Sequence, residues 1–258
     1  MRPTVTFLVL AFIGVVVAGL LIPATGMMRA NADRVRCMDN LRRIGKYLTD
    51  EAMASKAYPA GTLQVAKLPP DLRLSWVVPG LGAMGHAELA AKIDLAAPWN
   101  AEVNRPVAGT LVPQLVCPAV TQVWSRDLGA PFNYPGMAGV GADAATKPAN
   151  APGAGIFRYD EPTFLTDIKD GRANTLMLLE TAHAVGPWIA GGPPTVRPLV
   201  PETQPYLGQR RPFGGCHLRG ANAAFADGSC RFLAESTTPR VLELLAGIAD
   251  TAHSSDSQ

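Results

Sequence analysis

The residues with chemical potential in this chain are few. His217 stands ten positions ahead of Asp227-Gly228, and a His–Asp pair could act as acid and base or begin a metal site. A metal site needs at least three protein ligands, and nothing adjacent in sequence supplies the third. The spacing therefore favours structure, with Asp227 serving a turn and His217 hydrogen-bonding to it across adjacent strands. Asp167, Asp170, Asn174 and Glu180 form a second group of oxygen donors of the kind that suits calcium. They lack the every-second-residue spacing of a calcium loop; Asp170-Gly171 is itself a turn signal, and Asn174 and Thr175 equally fit a cap. Glu180 ends the apolar run Leu176-Met177-Leu178-Leu179, and a carboxylate buried there needs a partner, for which His217 and Arg231 are the candidates.

Cys37, Cys117, Cys216 and Cys230 contain no CxxC pair, which removes zinc-ribbon and thioredoxin-like readings. Three complete disulfide pairings are open, as is the reading that all four are small buried thiols. Cys216 precedes His217 directly, and adjacent residues rarely reach the geometry of nucleophile and base. Trp76, Trp99, Trp124 and Trp188 could line a sugar-binding face, although tryptophan is more often core. No catalytic set, cofactor site or metal site is read from these residues, and the expectation is a protein that is not an enzyme.

The elements that would position these groups begin with an N-terminal helix. No charged residue occurs from Pro3 to Met28, and residues 7–22 are almost wholly apolar. That is long enough for a membrane anchor over residues 1–28, and longer than the apolar core of a cleaved signal. Across residues 29–57, Val35, Met38, Leu41, Ile44, Leu48 and Ala52 recur at three- and four-residue steps, predicting an amphipathic helix that continues the anchor. Pro23 could kink the join. Residues 58–249 read as one loop-rich α+β domain, since most of the 25 Gly and 23 Pro fall there. Gly136 to Gly155 reads as an exposed loop, Leu176 to Glu180 as a buried strand, and Asn222–Ala226 with Ser229–Leu233 as a hairpin about Asp227-Gly228, both turn positions wanting positive φ. A short helix from Thr238 to Ala249 and a disordered tail over residues 250–258 complete the chain. Net charge is +2 with no basic stripe beyond residues 34–46, so nucleic acid is excluded as a partner.

These segments, taken in order, resemble a large bacterial family of prepilin-like proteins with a C-terminal processing-associated domain named for its His-x9-Asp-Gly motif. The likeness rests on Leu21-Ile22-Pro23-Ala24 with Arg34, Cys37, Asn40-Leu41-Arg42 and Ile44-Gly45; on Leu74-Ser75-Trp76, Pro98-Trp99-Asn100 and Val116-Cys117-Pro118; on Asn133-Tyr134, Gly155-Ile156-Phe157, Thr166 to Gly171, Asn174-Thr175 and Glu180; and on His217 with Asp227-Gly228. The resemblance implies a pseudopilin-like α+β fold, a long N-terminal helix, transmembrane then amphipathic, packed on an antiparallel sheet with large loop insertions. It also implies a single-pass inner-membrane protein with a periplasmic C-terminal domain. Its partners would be the membrane and subunits of type II secretion or pilus-like assemblies, self-association included.

The chain departs from prepilins at one place: Thr6 precedes Phe7, and the apolar run holds no acidic residue. The residues that direct peptidase cleavage and N-methylation, and the glutamate that pairs subunits in a filament, are therefore missing from the match, which leaves processing of the N-terminus open. The cluster Arg29, Arg34, Arg36, Arg42 and Arg43, read by the positive-inside rule alone, points the domain to the cytoplasm instead. The rival function is a tethered extracytoplasmic module binding sugar or peptide through the loops at 136–155 and 186–212.

Overall fold

The computed structural model describes residues 3–65, 67–120 and 124–249; within the first helix, side chains are described at residues 7, 10–13 and from 25 onward. The tail 250–258 lies outside the described residues, as do most side chains of the apolar run. Among the described residues, no helix is long and apolar enough to cross a membrane.

Helix α1 runs unbroken from Pro3 to Ser55, about 80 Å at the usual rise per residue. It ends where Lys56 takes a left-handed φ of 67°, turning the chain into strand β1 (Ala57–Tyr58). The buried stripe is Cys37, Leu41, Ile44, Leu48 and Ala52. Leu41, Ile44, Leu48 and Ala52 are buried as expected, while Met38 is half-buried and Val35, expected at the head of the stripe, is 56% exposed; Cys37, one turn before Leu41, takes the inward position there. Each fully buried Leu or Ile on this stripe contributes about 1.5–3 kcal/mol to docking.

The domain is α+β. Short helices α2 (Val77–Gly80), α3 (Ala87–Ala90) and α4 (Arg105–Ala108) precede strands β2 (Gly136–Val140), β3 (Thr163–Phe164), β4 (Leu176–Leu179), β5 (Val196–Leu199), β6 (Gly220–Phe225) and β7 (Cys230–Ala234), and helix α5 (Pro239–Ala246) follows. Strands β1 and β3 form a small antiparallel pair, and the main sheet has the order β5-β2-β4-β6-β7. It is mixed rather than antiparallel, because β5 pairs parallel to β2. Leu41, Ile44, Met177 and Ala224 belong to the core on the α1 face of the sheet, while Leu176, Leu179, Phe225 and Leu242 of α5 belong to the core on the other face.

Two expectations are corrected here. Gly136 to Gly155 is an exposed loop only in part: residues 141–153 are mostly exposed or half-buried, but Gly136–Val140 is the buried strand β2, where a Cβ on Gly136 would collide with the Phe157 ring. The β6–β7 turn has positive φ at Gly228 alone, at 85°. Gly228 N–H donates to Phe225 O (2.9 Å) and Phe225 N–H to Ser229 O (2.8 Å), the longer loop that ends on one left-handed residue. Trp76 and Trp188 are fully buried core, the commoner role for tryptophan, while Trp99 and Trp124 are partly buried.

Gly45 sets how closely α1 approaches the sheet. A Cβ there would meet Met177 Cε at 3.6 Å and Ala224 Cβ at 3.8 Å, ordinary contact distances. Gly45→Ala is therefore expected to raise stability by up to about 1 kcal/mol through helix propensity. Gly45→Leu, which must push the helix outward, should lower it by about 1–3 kcal/mol. Denaturant unfolding of the two variants checks this, and equal effects would show that the helix does not rest on this contact.

Candidate functional site

The groups that sequence reading paired do not all meet. His217 precedes β6 and Asp227 follows it, so the strand separates them. Asp227 Oδ1 accepts from Ser229 N–H at 2.9 Å and serves the turn. Asp167 accepts from Phe164 N–H (3.0 Å), and Asn174 donates to Asp170 O (3.1 Å), with Gly171 at φ 84° between them. These are turn contacts, and Glu180, at the opposite end of β4, does not join them.

What the fold does assemble is a different set. Cys37 of α1, Cys117, Glu180 and His217 are all buried, and one ligand atom of each lies within 4.8 Å of the others. Cys37 arrives on the inward stripe of α1. Cys117 follows the 3-10 turn Pro113–Leu115, Glu180 follows β4, and His217 bridges to Gly220 at the start of β6. Of the two partners proposed for Glu180, His217 is the one present. Arg231 lies over the Phe225 ring at 4.2 Å and donates to Ala173 O.

The backbone around these side chains is pinned. Cys117 N–H donates to Asn133 Oδ1 (3.0 Å), whose Nδ2 donates to Thr181 O (2.7 Å). Glu180 N–H donates to Asn222 O (3.0 Å), while Asn222 N–H donates to Glu180 Oε2 (3.1 Å). Asn40 of α1 donates to Val116 O and to Tyr134 Oη, each at 3.2 Å. Helix, sheet and connecting segments are thus tied together around one point.

Electrostatics at that point is unusual. Glu180 is fully buried, and only Oε2 has an aligned donor. His217 Nε2 lies 3.2 Å from Oε1 but off the line of a hydrogen bond, so Oε1 has no hydrogen-bond partner. Burial opposes ionisation of Glu180, yet His217 and the Asn222 amide outweigh it and hold the carboxyl below its ordinary range. Burial likewise opposes charge on His217, but its contacts with Cys37 and Glu180 raise it to about 9. The Cys37 thiol is pushed up by Cys117 beside it and by burial, and Cys117 is pushed up by Cys216. All four cysteines are free thiols.

A cysteine nucleophile with a His–Glu relay does not fit. A relay needs the thiol on one ring nitrogen and the carboxylate on the other. Here Cys117 Sγ (3.6 Å) and Glu180 Oε1 (3.2 Å) both face Nε2, and the thiols are buried and raised, the opposite of an activated cysteine. The arrangement converges on a point in space rather than passing a proton along a line. No local signal announced it: its members lie tens of residues apart, and only Glu180 with His217 was anticipated.

Removing one member of the Glu180–His217 pair leaves the other buried without its partner. Glu180→Leu and His217→Leu should each lower stability by about 3–5 kcal/mol, and the double variant should lose less than the two losses added. Additive losses in denaturant unfolding would show that the pair is not coupled.

Residues 27–197 match the family model SBP_bac_10, described as Protein of unknown function (DUF1559). The match spans Cys37, Cys117 and Glu180, stops before His217, and carries no prepilin or His-x9-Asp-Gly description. No curated protein and no solved structure matches. With about two thirds of its length matched, from the docked half of α1 through β4 to the start of β5, the chain belongs to the DUF1559 family.

Proposed function

We propose that this is a membrane-tethered, pseudopilin-like structural or assembly protein whose domain is carried at the end of α1. The observation that supports this is the division of the helix. From Cys37 onward its inward face is buried, whereas every described side chain from Phe7 to Ala32 is exposed. Phe7 (73%), Phe12 (70%) and Met28 (71%) are among them. A helix whose residues 3–25 reach about 35 Å beyond its own domain, with apolar side chains on the bare part, needs a covering, either lipid or neighbouring helices of like subunits. The uncharged run from Pro3 to Met28 suits the bilayer.

The domain is extracytoplasmic in this reading, and the arginines after the run argue for the other side. Protease protection on spheroplasts, with an epitope tag after Gln258, separates the two. Digestion from outside is expected; digestion only after lysis would place the domain in the cytoplasm and remove the pilus-like role. Deleting residues 1–28 should leave a soluble domain with unchanged near-ultraviolet circular dichroism. An aggregated product would mean that the projecting segment is part of the fold.

A further inference from the structure

We infer that Cys37, Cys117, Glu180 and His217 form a structural binding site for a zinc-class divalent cation, which clamps α1 to the sheet. The first ground is the donor set. Two thiolates, an imidazole and a carboxylate are the ligand types zinc takes in four-coordinate protein sites.

The second is geometry. Tetrahedral zinc with bonds of about 2.3 Å to sulfur and about 2.0–2.1 Å to nitrogen and oxygen would place S and N about 3.6 Å apart, and N and O about 3.4 Å apart. The structure has Cys117 Sγ to His217 Nε2 at 3.6 Å and His217 Nε2 to Glu180 Oε1 at 3.2 Å.

The third is the unpartnered oxygen. Glu180 Oε1 is buried and lacks an aligned donor, while Oε2 is held by the Asn222 amide. A carboxylate fixed on one oxygen and presented on the other is how an oriented ligand is built. Asn133 supports Cys117 in the same way, accepting its backbone N–H.

A route in exists. A cleft of about 460 Å³ between α1 and the Cys216–Leu218 segment has Met27, Arg34, Cys216 and His217 among its lining. All four coordination positions are filled by protein, so the site is structural rather than catalytic. Loading releases the thiol protons of Cys37 and Cys117 to solvent, with the imidazole binding in its neutral form, and the divalent cation offsets most of the charge of the two thiolates and the buried carboxylate. The inference goes beyond the tethered-subunit reading and holds on either side of the membrane.

The test uses the full chain, purified in detergent with its thiols reduced, incubated with Zn²⁺ alone or Co²⁺ alone and then desalted. Equimolar retention of zinc is expected. The cobalt form should show the intense visible bands of tetrahedral Co²⁺ and a thiolate-to-cobalt charge-transfer band. Cys37→Ser and Cys117→Ser should weaken that band, while Cys216→Ser and Cys230→Ser leave it intact. Asn133→Ala should lower zinc affinity about 10–100-fold. Because a ligand variant could unfold, the wild-type cobalt spectrum decides on its own: weak octahedral bands, or no retained metal on a reduced and folded chain, overturn the site.

Discussion

The seam between α1 and the sheet depends on how a buried carboxylate is accommodated. Glu180 sits at the end of β4 with no exposure to solvent, where an isolated charge would be strongly disfavoured. Its neutralisation draws in His217 from the approach to β6, the Asn222 amide from β6 itself, and the two thiols of Cys37 and Cys117. Four segments far apart in sequence must therefore be in register before any one of them is comfortable. That makes this point a check on the whole topology, in a way that the apolar contacts, which tolerate repacking, are not.

Around it the apolar surfaces do the bulk of the stabilisation. The sheet is covered on one face by the stripe of α1 and on the other by α5 together with Tyr206 and Phe213. Close packing in the β2 region comes from small residues, as at Gly136 against Phe157, so a Gly-rich stretch with little hydrophobic patterning is nevertheless interior. Asn40 and Arg34 extend the tie between helix and domain: Asn40 reaches Val116 and Tyr134, while Arg34 stands over the Phe232 ring and takes a hydrogen bond from Asn222 on its carbonyl. The docked half of α1 is held by polar as well as apolar contacts, whereas the described side chains from Phe7 to Ile13 are exposed. This contrast gives the tethered-subunit reading its physical content. A rigid helix fixed at one end by a polar seam passes the orientation of its projecting part to the domain.

The sequence by itself determined the local features. Three- and four-residue recurrence of apolar side chains placed the docked part of α1; the apolar run Leu176 to Leu179 placed β4; Asp227-Gly228 between apolar segments placed the β6–β7 turn; and the segment Thr238 to Ala249 placed α5. Each of these is decided by neighbours within a few residues, where backbone geometry alone relates the side chains. Even here the start of the stripe went unseen: Cys37, one turn before Leu41, points inward and Val35 does not, because periodicity fixes a spacing and the docking partner decides where burial begins.

Tertiary structure decided the rest. That β5 runs parallel to β2, that Gly136 to Val140 is a strand, and that His217 meets Glu180 instead of Asp227 all depend on which distant segments lie side by side. A histidine and an aspartate close in sequence were set at opposite ends of a strand, because an extended chain carries them apart at more than 3 Å per residue. The side chains that do converge come from a helix, a 3-10 turn, a strand end and a loop, and no pattern in the chain relates them. Their meeting follows from the sheet order and the angle at which α1 crosses it, which only the burial of the whole apolar surface can set.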